Sequence, residues 1–191
     1  MIQRILGKKA VYYSKKYPVV TVTGPRQSGK TTLVQHAFPE HEYISLENPS
    51  TRSRLMEDPK SLFNPEGRMI IIDEIQKLPD LMSYIQVNAD KQKISGQFIL
   101  TGSQSMVLSE KISQTLAGRT AILKLLPFSY AELKEIEEYK ADDYETWIHR
   151  GFYPGIFDQS LAPSDFYPFY FETYIQRDVR EIQQIRDLNQ F

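Results

Sequence analysis

Residues 24–31, Gly-Pro-Arg-Gln-Ser-Gly-Lys-Thr, match the pattern G-x-x-x-x-G-K-[ST] in full. An apolar strand is predicted before this pattern and a helix after it, which is the context in which the pattern binds phosphate. Its two glycines let the backbone curve so that successive N–H groups point inward, and the following helix adds partial positive charge at its N-terminus. The predicted phosphate cradle consists of Gly24, Pro25, Arg26, Gln27, Ser28, Gly29, Lys30, Thr31 and Thr32.

The side chains of this loop and of a second segment supply the remaining chemistry. Lys30 is expected to reach the β- and γ-phosphates of a nucleotide, and the Thr31 hydroxyl to ligate Mg²⁺. Met69–Ile72 is an apolar run that is followed by Asp73 and Glu74. Because a hard divalent ion prefers carboxylate oxygens, Asp73 is the predicted Mg²⁺ residue, and Glu74 is the predicted base that polarises the attacking water. The alternative for these two residues is a solvated acidic pair at a strand end that has no catalytic or binding role.

Three further polar residues are weaker candidates. Thr101 and Ser103 follow the predicted strand Phe98–Leu100, where a hydroxyl would contact the γ-phosphate or its water; a glycine-containing turn is the alternative. Arg119 opens the fifth predicted strand, where a cation would stabilise charge that develops on a neighbour's phosphate. A surface arginine with a local carboxylate is the alternative for Arg119.

The apolar pattern predicts strands that alternate with helices, which indicates a parallel α/β sheet. The predicted strands are 19–23, 43–46, 69–72, 98–100 and 120–126, and the predicted helices are 2–16, 30–38, 80–93 and 105–117. Three prolines between residues 48 and 67 favour short helical turns at best. In the third helix, one face is expected to hold Leu81, Tyr84, Ile85 and Ala89.

The strand pattern ends at Pro127. Ser129 and Glu132 have the spacing of a capping box, which predicts that a helix starts there and covers residues 129–138. Further helices are predicted at 142–150 and 169–185. The chain is therefore divided into an α/β core, residues 1–127, and a helical region, residues 128–191.

Composition excludes several classes of protein. With 41% apolar and 25% charged residues, the 191-residue chain has the balance of a soluble folded domain. It has no cysteine, which excludes disulfides, thiolate metal sites and cysteine nucleophiles. No apolar stretch approaches the roughly 20 residues that span a bilayer, so a cytoplasmic protein without a membrane contact is expected. The net charge of −1 offers no bulk attraction for nucleic acid, which leaves a local contact through Lys8, Lys9, Lys15 and Lys16 as the alternative.

The motifs follow one another in a recognisable order. After the phosphate loop come Ile72-Asp73-Glu74-Ile75-Gln76, Leu100-Thr101-Gly102-Ser103, Leu116-Ala117-Gly118-Arg119 and Tyr174-Ile175-Gln176-Arg177-Asp178-Val179. Together they resemble a family of bacterial and archaeal AAA-type P-loop ATPases in which a nuclease-like C-terminal domain of unknown function follows the ATPase core. The resemblance covers nearly the whole chain, and the Leu-Thr-Gly-Ser and Leu-Ala-Gly-Arg motifs are its more specific parts.

The resemblance implies a sheet in the order 5-1-4-3-2, in which another strand separates the strand of the acidic pair from the strand before the phosphate loop. It also implies that Ser103 is the sensor residue and that Arg119 is an arginine finger, which acts in trans if the protein forms a homo-oligomer. Phe152 stands where the family usually has a second glycine. A second sensor arginine is not evident, and Arg177 and Arg180 are its candidates.

Family members continue into a second domain where this chain ends. Apolar spacing persists through Ile185, Leu188 and Phe191. We therefore expect a fragment that is cut at the end of the ATPase domain, whose missing domain would contact DNA or a protein partner. The helix from Phe166 to Ile185 would then expose a surface for that domain, or else pack on the core.

Three functions follow from these residues. The favoured one is a Mg²⁺-dependent ATPase whose cycle drives or gates an attached or partner domain. The second is a nucleotide-gated interaction module with negligible hydrolysis, which takes its finger from a partner. The third is a small-molecule kinase, against which stand the lack of an arginine-rich lid and the adjacent pair Asp73 and Glu74.

Overall fold

The computed structural model describes residues 2–63, 67–103, 106–134, 136–139, 143–159 and 161–175. These residues divide into two compact units. The first unit holds the described residues of 3–25 and 29–126, and the second holds residues 26–28 and the described residues between Pro127 and Ile175, together with Ile2.

The first unit is built on a five-stranded parallel sheet in the order β2-β3-β4-β1-β5. Read from the opposite edge this order is 5-1-4-3-2, so the order implied by the resemblance is confirmed. β1, β3 and β4 are buried along almost their whole length, as expected for the centre of a parallel sheet with helices on both faces. The strands are β1 (Val19–Gly24), β2 (Glu42–Ser45), β3 (Ile70–Asp73), β4 (Phe98–Ser103) and β5 (Thr120–Lys124).

Helices cover both faces of this sheet. On one face, Ala10 of α1 and Leu33 of α2 pack with Val20 and Ile99. On the other face, α3, α4 and α5 pack on the sheet, with Leu55, Ile85 and Ile112 in one buried cluster. The helices of this unit are α1 (Ile5–Ser14), α2 (Lys30–Ala37), α3 (Pro49–Glu57), α4 (Leu81–Gln92) and α5 (Met106–Thr115), with 3₁₀ turns at Pro59–Leu62 and Ile75–Lys77.

The segment after β2 differs from the sequence expectation. We expected short turns at best between residues 48 and 67, but Pro49–Glu57 forms the nine-residue helix α3. Pro49 occupies the first turn, where its missing N–H costs nothing, and the Asn48 side chain accepts hydrogen bonds from the backbone N–H groups of Ser50 and Thr51. The proline therefore starts the helix, and the buried Leu55 attaches it to the core.

Two other expectations for this unit are wrong in detail. The buried face of α4 contains Met82, while Tyr84 is 39% exposed. A helix repeats every 3.6 residues, so Met82 joins the face of Ile85 and Ala89, and Tyr84 falls at its edge. β4 extends to Ser103, because its ladder with β1 continues to the pair of Gly24 and Ser103, and β5 ends at Lys124.

The second unit is helical. Phe128, Leu133 and Trp147 form one buried cluster, and Ile156, Phe166 and Tyr170 form another. The predicted capping box of Ser129 and Glu132 is present, although α6 ends at Leu133, short of the expected residue 138. The helices are α6 (Tyr130–Leu133), α7 (Tyr144–Arg150), α8 (Pro154–Asp158) and α9 (Pro163–Tyr170), with a 3₁₀ turn at Glu137–Tyr139 and a π-helical turn at Phe171–Ile175.

The expected last helix, 169–185, begins earlier as α9, and its part beyond residue 175 lies outside the described residues. Arg177, Arg180, Leu188 and Phe191 lie there too. Among the described residues, no helix is long and apolar enough to cross a membrane.

Candidate nucleotide site

The register of the sheet brings the predicted site residues to one edge. Gly24, where β1 meets the phosphate loop, pairs with Ser103 at the end of β4. Ile72 of β3 pairs with Leu100 of β4, so Asp73 follows at the same level as Thr101. The carboxyl ends of β1, β4 and β3 therefore lie side by side, as ligand sites in open parallel sheets do.

The phosphate loop has the backbone expected of an anion-binding turn. Gln27 and Gly29 both have a left-handed conformation, with φ of 58° and 86°. Gly29 then caps α2, whose first residue is Lys30. A loop with left-handed residues that leads into a helix N-terminus points backbone N–H groups into a concave site, which suits phosphate.

Lys30 lies inside this loop. The residue is buried, with only 6% of its surface exposed. Its Nζ donates to the carbonyl oxygens of Gly24 at 3.1 Å and Pro25 at 2.8 Å. A buried ammonium needs such acceptors, because burying an uncompensated charge costs on the order of several kcal/mol. The loop's own carbonyls thus hold the cation at the position where the sequence predicts phosphate oxygens.

Thr31 and Asp73 come together from different elements. The Thr31 hydroxyl donates to Oδ1 of Asp73 at 3.0 Å and to Oδ2 at 3.1 Å. Thr31 is in the first turn of α2, and Asp73 is the last residue of β3. One hydroxyl and one carboxylate beside a phosphate loop are the oxygen ligands that Mg²⁺ uses in such sites, so these two residues fit the predicted ion.

Two residues without a predicted contact to Asp73 also hold its carboxylate. The Tyr43 hydroxyl, from β2, donates to Oδ2 at 2.8 Å, and the buried Thr101 hydroxyl contacts Oδ1. Partial burial, followed by this hydrogen bond to Asp73, raises the pKa of Tyr43 to about 12. Tyr43 therefore stays protonated and acts as a donor at neutral pH.

Glu74 lies next to this carboxylate and has an unusual backbone. Its φ of 59° and ψ of 48° are left-handed, a conformation that non-glycine residues adopt at some cost. Its N–H donates to the Thr101 hydroxyl at 3.2 Å. Its side chain accepts a hydrogen bond from the Nε2 of Gln76, which also donates to the Ser103 hydroxyl at 3.2 Å. Gln76 thus connects the predicted base to the predicted sensor.

Arg119 lies at the other end of the sheet. Its carbonyl accepts from the N–H of Val19, the first residue of β1, whereas the phosphate loop follows the last residue. Five strand steps of about 3.3 Å, roughly 17 Å in all, separate the two ends. The guanidinium pairs with both oxygens of Asp90 on α4, at 2.6 and 2.9 Å, and this pairing lowers the pKa of Asp90.

The tip of the phosphate loop belongs by its contacts to the second unit. There the Arg26 carbonyl accepts from the Tyr170 hydroxyl at 3.2 Å, and the Arg26 guanidinium lies 5.5 Å from the Tyr174 ring centroid. Gln27 Nε2 donates to the Tyr174 hydroxyl at 3.1 Å. Ser28 is fully buried, and Thr32 faces outward from α2.

The structure therefore places Gly24, Lys30, Thr31, Asp73, Glu74 and Ser103 at one end of one sheet and Arg119 at the other. Sequence reasoning missed Tyr43 and gave Gln76 no role. Gln76 belongs to the motif Ile72-Asp73-Glu74-Ile75-Gln76, so its position two residues after Glu74 was a usable signal. For Tyr43 there was none, since its contact depends on how β2 pairs with β3.

Comparison with protein families is consistent with this geometry. The model of the AAA domain family matches residues 16–134, which include all five strands. A second model, described as Domain of unknown function (DUF8612), matches residues 141–191.

Two curated relatives are similar to most of the chain. Uncharacterized protein Rv2008c of Mycobacterium tuberculosis and Uncharacterized protein Mb2031c of Mycobacterium bovis are each 33% identical to it over 169 residues. The matched region covers 86% of this chain but 37% of each relative, so the chain spans well under half of their length.

Solved structures share the fold. The Walker-type ATPase PABY2304 of Pyrococcus abyssi is 18% identical with a TM-score of 0.51, over 76% of this chain and 61% of that chain. AMPPCP-bound DnaA from Aquifex aeolicus is 15% identical with a TM-score of 0.54, over 92% of this chain and 64% of that chain. With a parallel sheet of the same kind and a family model that matches more than half of its residues, the chain belongs to the AAA domain family.

Proposed function

We propose that this chain is a cytoplasmic ATPase that binds ATP with Mg²⁺, and that hydrolysis drives or gates an attached or partner domain. The observation that carries the proposal is the pairing of the Thr31 hydroxyl with the Asp73 carboxylate beside the phosphate loop. Membership of the AAA domain family supports nucleotide binding. The greater length of the curated relatives supports the idea of an attached domain.

Binding is assigned to the phosphate loop. The backbone N–H groups between Gly24 and Gly29 would cradle the phosphates, with Pro25, Arg26, Gln27 and Ser28 in the loop and Thr32 behind it. Lys30 would exchange the carbonyls of Gly24 and Pro25 for phosphate oxygens, which carry a full negative charge and so bind an ammonium more strongly. The loop carbonyls hold Lys30 in place until that exchange.

The Mg²⁺ shell is assigned to Thr31 and Asp73. When bound, the ion would neutralise phosphate charge and orient the terminal phosphate. Thr31 would turn its hydroxyl oxygen from the carboxylate towards the metal, and Asp73 would hold the ion directly or through its water. Tyr43 and Thr101, which contact opposite oxygens of Asp73, would keep the carboxylate oriented.

Glu74 is assigned as the base and Ser103 as the polar residue that contacts the γ-phosphate or its water. The left-handed backbone of Glu74 turns the chain sharply after β3, and the Thr101 hydroxyl fixes that turn through the Glu74 N–H. Gln76 restrains the Glu74 carboxylate and joins it to Ser103. A base held in one orientation loses less entropy when it activates water.

Arg119 is proposed to act in trans. It lies at the end of the sheet away from its own phosphate loop, so it would serve the site of a second copy in a homo-oligomer. The exposed pair with Asp90 would hold the guanidinium extended until that copy arrives. A cation beside the transferring phosphoryl group stabilises the charge of the transition state.

The position of Arg119 away from its own phosphate loop also favours a second candidate function. If a partner is required to supply the arginine, an isolated chain would bind ATP and hardly hydrolyse it, which makes it a nucleotide-gated interaction module. The two candidates predict different dependence of turnover on protein concentration. An ATPase whose arginine comes from a second copy becomes more active as the chains associate, whereas a module that takes its arginine from a different partner binds ATP without turnover at every concentration.

The decisive experiment measures Mg²⁺-ATP hydrolysis and ATP binding for the wild type and Glu74→Gln over a range of protein concentrations. Glu57→Gln, at the exposed end of α3, is the matched control because it removes the same charge away from the site. We expect Glu74→Gln to reduce turnover by about 10²-fold or more while ATP binding is retained, as for loss of a general base. Glu57→Gln should behave as the wild type does.

The other outcomes are equally informative. Binding without turnover at every concentration would support the gated module and reject autonomous ATPase activity. Equal losses in both variants would remove the role of Glu74. Failure of the wild type to bind ATP would overturn both candidate functions.

A further inference from the structure

One side of α1 carries a set of exposed side chains with four positive charges. Positions three, four, seven and eleven residues apart fall within one arc of a helix, so these side chains share a surface. The opposite side of the helix, with Leu6, Ala10 and Val11, packs in the core. The exposed set, called the basic face below, is Ile5, Lys8, Lys9 and Tyr12, together with Lys15 and Lys16 just beyond the end of the helix.

No carboxylate in the part of the chain that the structure describes neutralises the lysines of this face. Within residues 2–63 and the other described parts of the chain, Lys8, Lys9 and Lys15 form no ion pair with a carboxylate. The Lys16 ammonium lies 4.6 Å from the centroid of the Tyr12 ring, a cation–π contact that leaves its charge in place. The face therefore presents four exposed cations.

Charge is also distributed unevenly along the chain. The first 39 residues contain seven Lys or Arg and no Asp or Glu, whereas the whole chain contains 23 and 24. The remainder thus holds 16 basic and 24 acidic residues and is strongly negative. Since α2 (Lys30–Ala37), which packs beside α1, also has no acidic residue, the potential of the basic face is not cancelled by its neighbour.

We propose that the basic face of α1 binds the phosphate backbone of a nucleic acid. From Lys8 to Lys16 the lysines span eight residues, about 12 Å at the rise of a helix, which is more than one phosphate of a strand. Lysine ammonium groups are point charges on flexible chains, and they suit contacts to phosphates that do not depend on base sequence. The exposed Tyr12 ring offers a surface for base stacking where the strand is single.

An anionic membrane is the other polyanion that a basic surface attracts, and the composition of this face argues against it. A helix that lies in a bilayer interface buries a broad apolar side. Here the exposed apolar residues on the face are only Ile5 and Tyr12. The other apolar residues of α1, Leu6, Ala10, Val11 and Tyr13, pack in or against the core. Charge without apolar area favours the nucleic acid.

This inference goes beyond the proposed function, because it uses no residue of the phosphate loop or of the acidic pair. Its failure would leave the nucleotide site unaffected. Likewise, an inactive nucleotide site would not remove the exposed lysines.

The experiment measures fluorescence anisotropy of a short labelled DNA duplex and of a single-stranded RNA of arbitrary sequence, at several salt concentrations. The test variant is Lys8→Gln, Lys9→Gln, Lys15→Gln and Lys16→Gln combined. The matched control removes four exposed lysines from other elements, Lys60→Gln, Lys77→Gln, Lys91→Gln and Lys124→Gln. Melting temperature and ATP affinity are measured for each, and both variants should match the wild type.

We expect the wild type to bind one or both nucleic acids at low salt, with affinity that falls as salt rises. The test variant should lose about 10-fold or more in affinity, and its salt slope should fall by roughly one per lysine. The control should keep both the affinity and the slope. Comparing the DNA duplex with the single-stranded RNA shows which nucleic acid is preferred. A loss of affinity for either of them in the test variant, but not in the control, supports the proposal.

Three results would overturn it. The first is no binding by the wild type at low salt. The second is an equal loss in the test and control variants, which would indicate attraction by total charge alone. The third is binding to phosphatidylcholine vesicles that contain phosphatidylserine, lost in the test variant, without any binding to the nucleic acids.

Discussion

The Tyr43 hydroxyl donates a hydrogen bond of 2.8 Å to Oδ2 of Asp73, across the pair of strands β2 and β3. Asp73 thereby receives hydroxyl groups from three elements, since Thr31 on α2 and Thr101 on β4 contact it as well. A carboxylate held on three sides has little freedom to rotate. The orientation of the proposed metal residue is therefore set before any ion binds.

The first prediction concerns Tyr43→Phe, which keeps the ring and removes the hydroxyl. The Asp73 carboxylate would lose one of its three donors, and partners of this kind typically change metal affinity by 10–100-fold, so we expect about a 10-fold rise in the Mg²⁺ concentration needed for half-maximal ATP binding. The measurement is ATP affinity by calorimetry across a Mg²⁺ titration and in EDTA. ATP affinity in EDTA should not change.

Tyr84→Phe on α4 is the control for this prediction, because Tyr84 is partly exposed and outside the site. An unchanged Mg²⁺ dependence in Tyr43→Phe would show that Tyr43 does not position Asp73.

The second prediction concerns Gln76→Ala. Without the Gln76 amide, the Glu74 carboxylate loses its link to Ser103 and samples more orientations. We expect kcat to fall by about 10-fold while KM for ATP stays the same, since a positioning residue affects the reacting geometry rather than binding. Steady-state kinetics of ATP hydrolysis separate the two constants.

Gln86→Ala, on α4, should leave both constants as in the wild type. A rise in kcat for Gln76→Ala would mean that Gln76 restrains Glu74 from acting, and a rise in KM alone would assign Gln76 to binding.

The third prediction concerns Arg119→Ala mixed with Lys30→Ala. Each variant alone should lose about 10³-fold in turnover, the first through loss of the cation at the transferring phosphate and the second through loss of binding. In the mixture, an Arg119 from one chain would complete the intact loop of another. ATP hydrolysis should therefore recover when the two inactive proteins are combined.

A mixture that stays inactive, with both proteins folded and associated, would contradict a role of Arg119 in trans. A mixture of Lys91→Ala with Arg119→Ala serves as the reference. Lys91 is an exposed residue of α4, so the Lys91→Ala chain keeps both its phosphate loop and its Arg119.

The fourth prediction concerns the start of α3. Asn48→Ala removes the side chain that accepts from the N–H groups of Ser50 and Thr51, so we expect a loss of about 1 kcal/mol in the free energy of unfolding. Urea denaturation followed by circular dichroism measures it. Ser53→Ala, an exposed change within the same helix, should be nearly neutral, and equal effects of the two would remove the capping role of Asn48.

The spacing of residues that are neighbours in the sequence was enough to predict the candidate site. The phosphate loop and the acidic pair are contiguous motifs, and a contiguous motif keeps its residues close whatever surrounds it. The alternation of strands and helices likewise predicted a parallel sheet from apolar periodicity. The strand order itself came from a family resemblance, since periodicity does not state which strands are neighbours.

Tertiary structure decided the contacts that depend on pairing between distant segments. Tyr43 is 30 residues from Asp73 along the chain, and only the register of β2 on β3 makes them partners. The link between Gln76 and Ser103 depends in the same way on β4 beside β3. Arg119 was visible as a cation before β5, but the direction of β5 beside β1 decided that it lies away from its own phosphate loop. Pairing register is a property of the whole sheet, set by how all its side chains pack, and no single segment encodes it.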